Sequence, residues 1–155
     1  MEQTTPLFRW IEAYQLGIQE FDTHHQKLVQ LLNSSYDAFL NNMHPHSLAT
    51  ILDELSDYTQ YHFSAEEAWM ADQNYPNRAE HQVQHDSFKA KLAELQQARQ
   101  KVDTALNAEL FSFLADWLAA HILESDAAYG AYTRENASRC SNNSSSTDPS
   151  TQKTT

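Results

Sequence analysis

Residues 48–69 read LATILDELSDYTQYHFSAEEAW. Leu48, Ile51, Leu52, Leu55, Tyr58, His62, Glu66 and Trp69 recur every three or four positions, the period of one face of an α-helix. That face is apolar except for a histidine and a glutamate four residues apart, which project side by side on a helix. No Lys or Arg shares the face to neutralise the carboxylate. Burying it therefore buries two ionisable groups, which is costly unless they are paired or bound to a metal.

The pattern recurs in three further segments. Residues 18–40 align Phe21, His25, Leu28, Leu32, Tyr36 and Phe39. A third segment opens at Asn77 with Glu80, a capping-box spacing, and aligns His81, His85, Phe88, Leu92 and Leu95. The fourth begins after Val102-Asp103-Thr104 and carries Leu106, Leu110, Phe113, Trp117, His121, Asp126 and Tyr129. The breaks are short: NNMHPH at 41–46, with Ser47 as the expected N-cap, and Asn74-Tyr75-Pro76. Such spacing predicts an all-α, up-down-up-down four-helix bundle. Residues 1–17 lack a helical period but hold Phe8, Trp10 and Tyr14, as expected of an arm packed on the bundle. The bundle domain is expected over residues 1–135. Residues 136–155, rich in Ser, Thr and Asn and without a large apolar side chain, are expected to be a disordered tail.

Twenty-one acidic against ten basic residues give a formal charge of −11, which disfavours nucleic acid and anionic membranes as partners. The single cysteine, Cys140, excludes an intramolecular disulfide framework and a thiolate metal site. The start, MEQTTPLFRW, has no basic region followed by an apolar one, and no run is long enough to span a bilayer. A cytoplasmic, monomeric protein is the expectation.

His25, His62, Glu66, His81, His85, His121 and Asp126 thus fall on the inward stripes. Imidazoles with carboxylates suit iron, zinc or manganese better than magnesium or calcium. Seven donors exceed a structural zinc site, so either two metals or some bystanders are present. Two metals sharing both carboxylates use all seven. His81, His85 and His121 would serve one, and His25 and His62 the other, which keeps an open position. His81-Gln82-Val83-Gln84-His85 lacks the glutamate of the metalloprotease helix at position 82. Glu67 is expected to face outward or to support a ligand, and His24, His44 and His46 to face solvent. His121 and Asp126 are five residues apart, about 140° on an ideal helix, so a single π-type turn is expected between them.

The runs Gly17-Ile18…Phe21-Asp22…His25…Leu28…Asn33, Tyr61-His62-Phe63-Ser64-Ala65-Glu66-Glu67…Met70, His81…His85…Phe88 and Trp117-Leu118…His121-Ile122…Asp126…Tyr129 together resemble the hemerythrin family. The likeness is greatest to single-domain bacteriohemerythrins and extends over about residues 8–132. It implies two non-haem irons per chain, bridged by Glu66, Asp126 and a solvent-derived oxygen, with dioxygen bound reversibly at the iron held by His25 and His62. By the same resemblance, Leu28 and Leu118 would line the oxygen pocket. The implied role is non-enzymatic oxygen storage, delivery or sensing, with dioxygen and an oxygen-requiring enzyme or signalling protein as partners. The alternatives are a di-iron enzyme acting on peroxide or nitric oxide, and a redox module read by a separate protein.

Overall fold

The computed structural model describes residues 5–42, 45–98 and 104–143. They form an all-α four-helix bundle. Helix α1 runs Gln19–Leu40, α2 Pro45–Asp72 and α3 Arg78–Ala98. The fourth rod is α4, Thr104–His121, then a π-turn, Ile122–Asp126, then α5, Ala127–Asn143. Helix α1 packs on α2, α2 on α3 and α3 on α4. Among the described residues no helix is long and apolar enough to cross a membrane.

The arm docks as expected. Phe8 is buried, and its backbone N–H donates to Asn33 Oδ1 while its carbonyl accepts from Asn33 Nδ2, both at 2.8 Å. One short turn, Glu12–Tyr14, packs the Tyr14 ring between Phe8 and Trp10. Gly17 then reverses the chain at φ +83°, a conformation that a side chain would strain. The Asp22 carboxylate accepts the N–H groups of Leu16 and Gly17, and Arg134 of α5 donates to the Leu16 carbonyl. Helix α2 ends where expected: Asn74 turns left-handed at φ 52°, and the Tyr75 N–H returns to the Met70 carbonyl at 2.9 Å. Helix α3 starts directly after Asn77, whose carbonyl accepts the His81 N–H.

Four expectations are corrected. Helix α2 begins at Pro45, not after Ser47, because proline suits a first helical turn that needs no N–H donor, so His46 lies in the helix and not in a loop. On α4, Leu106 and Phe113 are 39% exposed, and the core takes Leu110, Phe111, Leu114, Ala115, Leu118 and, in the π-turn, Ile122. Residues 136–143, assigned to a disordered tail, continue α5; Ser138 and Ser141 there bond the carbonyls four residues back and so compete little with the helix. His24 is buried, as detailed below. His44, the break at residues 102 and 103, and residues 144–155 lie outside the described residues.

The apolar interior has two parts. A large core joins Leu28, Leu32, Leu52, Leu55, Phe88, Leu92, Phe111 and Leu114, and a smaller cap joins Leu16, Phe21, Met70, Tyr75 and Tyr129. On α1, α2 and the fourth rod the histidines and carboxylates fall between the two. The bundle therefore carries a polar layer between two apolar ones.

Candidate metal centre

Four rods contribute to this layer: α1 gives His25, α2 His62 and Glu66, α3 His81 and His85, and the fourth rod His121 and Asp126. All seven side chains are at least 96% buried. The four-residue spacings align the pairs on α2 and α3. The five-residue spacing is aligned by the π-turn from Ile122 to Asp126, as the sequence predicts, and His121 Nε2 sits 3.1 Å from Asp126 Oδ1.

Each carboxylate divides its oxygens between two groups of histidines. Glu66 Oε1 lies 3.1 Å from His25 Nε2 and 2.9 Å from His62 Nε2. Its Oε2 lies 3.1 Å from His85 Nε2 and 3.5 Å from His81 Nε2. Asp126 Oδ2 faces His25 Nε2 at 3.1 Å, and Oδ1 faces His81 and His121 at 3.0 and 3.1 Å. Yet Glu66 Oε2, both Asp126 oxygens and Nε2 of His81, His85 and His121 make no well-directed hydrogen bond, although all are buried. Buried polar atoms without partners are rare. Atoms this close but this poorly aligned suit a cation between them better than a shared proton. Two overlapping sets are compact enough to hold an ion: Glu66, His81, His85, His121 and Asp126, and His25, His62 and Glu66. Asp126 belongs to the first set and reaches the second only through its contact with His25.

Outer contacts fix the imidazoles. His85 Nδ1 donates to Glu67 Oε1 at 3.0 Å, so Glu67 supports a core histidine. His121 Nδ1 donates to Gln84 Oε1 at 2.8 Å, and Ser125 Oγ donates to the same oxygen. Both bonds leave the Nε2 lone pair facing the centre. Phe63 stacks on His85 at 3.8 Å and 3°, and Trp117 on His121 at 4.4 Å and 15°. The Tyr129 hydroxyl donates to Glu66 Oε1 at 3.0 Å. The sequence expectations missed Gln84 and Ser125, since a polar residue beside a ligand stripe carries no periodic signal.

His24 departs most from expectation. Rotated about 100° from His25, it leaves the bundle axis but meets α2 instead of solvent. Its ring lies 7% exposed among Phe21, Tyr58 and Tyr61, with Nδ1 3.1 Å from His62 Nδ1.

Charge couples these groups. Burial alone would lower the His25 pKa, but the close carboxylates of Asp126 and Glu66, each 3.1 Å away, raise it to about 10. The same causes raise His81 to about 9. Burial opposes ionisation of Glu66, but the charge of His62 and the close imidazoles of His25, His62 and His81 hold it well below the usual carboxylate range. Asp126 is likewise held low against burial and Glu66, chiefly by His121. Burial, then the Glu66 and Asp126 charges, push the Tyr129 hydroxyl well up, so it stays a donor.

The sequence profile of the Hemerythrin HHE cation binding domain matches residues 16–132. This chain belongs to the hemerythrin family. It is similar to the bacteriohemerythrin of Clostridium acetobutylicum, 31% identical over 128 residues, which are 79% of this chain and 98% of that one. The bacteriohemerythrin of Pseudomonas aeruginosa is 32% identical over 120 residues, 77% of each chain. That of Methylococcus capsulatus is 29% identical over 125 residues, 80% of this chain and 95% of that one. A hemerythrin domain implies non-haem iron, and the buried histidine–carboxylate cluster is compatible with it.

Proposed function

We propose that this hemerythrin-family chain binds dioxygen reversibly at two non-haem irons, for oxygen storage, delivery or sensing. In this reading His81, His85 and His121 would hold one ion and His25 and His62 the other, with Glu66 and Asp126 available to both. The observation that carries it is the divided carboxylate. Glu66 presents one oxygen to His25 and His62 and the other to His81 and His85, and Asp126 repeats the division. A carboxylate divided in this way serves a cation on each oxygen, and one zinc ion has no use for seven donors.

Iron bound there would lend dioxygen the electrons that hold it and recover them on release. The protein's residues do the rest. Two histidines on one side against three on the other leave room for an incoming ligand beside His25 and His62. Leu28 and Leu118, 1% and 2% exposed and one turn from His25 and His121, would keep water and ions from that position. Tyr129 holds Glu66 in place and keeps its own proton. Five neutral imidazoles favour ferrous iron, unlike the carboxylate-rich sets of ferritin-like di-iron proteins, so binding without net turnover is the expected behaviour.

Cycling the iron-loaded protein between anaerobic and aerated buffer tests this, with oxygen uptake measured alongside turnover of peroxide and nitric oxide. Stoichiometric uptake and release without sustained consumption is expected. Sustained consumption of peroxide or nitric oxide, without release of oxygen, would make it an enzyme.

A further inference from the structure

Three core histidines have a partner on the ring nitrogen that faces away from the centre. His85 has the carboxylate of Glu67, His121 the amide oxygen of Gln84, and His62 the imidazole of His24. The first two partner oxygens can only accept, which settles the proton on the inner histidine. An imidazole can accept or donate, so the His24–His62 pair has two arrangements. If His24 Nδ1 carried the proton, His62 would have to carry its own on Nε2, against Glu66 Oε1 at 2.9 Å, and could not offer that nitrogen to a cation. If His62 Nδ1 carries it, the Nε2 lone pair is free.

We propose that His24 is a positioning residue for the metal centre, accepting a hydrogen bond from His62 Nδ1–H and so holding His62 in its ligating tautomer. The inference rests on the two-metal reading above. The seam between α1 and α2 is built for this contact. Phe21, Tyr58 and Tyr61 pack around the His24 ring, and among the described residues its Nδ1 has His62 as hydrogen-bond partner. An apolar residue at position 24 would leave His62 Nδ1–H buried and unbonded, which is costly, and would free the ring to turn. The contact also distinguishes the two halves of the centre. His85 is backed by an anion, whereas His62 is backed by a neutral ring, so His62 is the less electron-rich donor and sits on the side with the open position.

Metal-free wild type, His24→Leu and His24→Gln, titrated anaerobically with ferrous ion against a competing chelator, test this. Wild type should take two ions. His24→Leu should lose tenfold or more in affinity for one ion and keep the other, the usual scale for losing such a support. His24→Gln should restore both, since an amide oxygen already does this work for His121. Zinc-loaded wild type, examined by long-range proton–nitrogen NMR, should show the proton of His62 on Nδ1 and that of His24 on Nε2. Full affinity for both ions in His24→Leu would overturn the proposal. So would a proton on His24 Nδ1, or a Gln variant as weak as Leu with an unchanged metal-free melting temperature. Fewer than two ions in wild type would instead overturn the two-metal reading, and this inference with it.

Discussion

An imidazole and a carboxylate 3 Å apart can share a proton or share a cation, and the seven core residues have both options. Without metal, His25 and His81 keep protons up to about 10 and about 9. Their folded values lie above the ordinary 6.5, so the stability they add is complete below about 6.5 and is lost as pH rises through 9 to 10. Glu66 and Asp126 lie below their ordinary values, so their contribution is present above about 4.5 and is lost as pH falls. Burial and His62 hold His24 below its ordinary value, so its protonation costs stability as pH falls below about 6.5. The metal-free bundle should therefore melt highest near pH 6.5 and lose stability toward pH 10. Metal must displace the His25 and His81 protons, so at pH 7 its uptake should release protons, and affinity should rise with pH. Calorimetric titration in buffers of different ionisation enthalpy measures that release; none at pH 7 would contradict the assigned charges. The apolar neighbours give a separate test. Leu118→Ala should cost about 2–5 kcal/mol in stability, leave the iron bound and speed loss of the oxygenated spectrum. An unchanged autoxidation rate would remove Leu118 from the pocket.

At the scale of elements, the π-turn is where the fold yields to the site. Regular bonding through residues 121–126 would satisfy the backbone but turn Asp126 away from His121. Deleting the exposed Leu123 should let regular i→i+4 bonding close, and metal-free helix content and melting temperature should hold or rise. Metal occupancy should hold, because the deletion leaves His121 and Asp126 four residues apart, the spacing that aligns the pairs on α2 and α3. Loss of metal from a deletion variant whose metal-free bundle is unharmed would show that the site needs the turn itself and not merely the alignment it provides. This turn was legible from the five-residue spacing, and the side-by-side placement of His62 with Glu66 and of His81 with His85 from their four-residue spacing. The inner stripe of α4 was not. Residues 110–118, LFSFLADWL, hold large apolar side chains on several faces, so the stripe through Leu106 and Phe113 reads as well as the true one through Phe111 and Leu114. His24 escaped for a different reason: angular position on one helix does not reveal whether a neighbour covers that flank.

Over the whole molecule, the cluster is tolerable because apolar layers close it on both sides and the arm ties the cap down. Arg134 reaches from α5 to the Leu16 carbonyl, so the fourth rod and the arm hold each other. We propose that the folding unit ends within α5 and that SSSTDPSTQKTT, residues 144–155, lies outside it. Removing those residues should leave melting temperature and iron content unchanged, as no large apolar side chain is lost; a large drop in melting temperature would contradict that boundary. The central claim, a two-iron centre that takes up and releases dioxygen, is met most directly by one sample. Metal-free protein is loaded anaerobically with ferrous ion, its iron is quantified, and its visible spectrum is recorded through repeated aeration and deoxygenation. Two irons per chain and a spectrum that appears with oxygen and reverts without it are predicted. One metal per chain, or full iron with no reversible spectral response, would contradict the account.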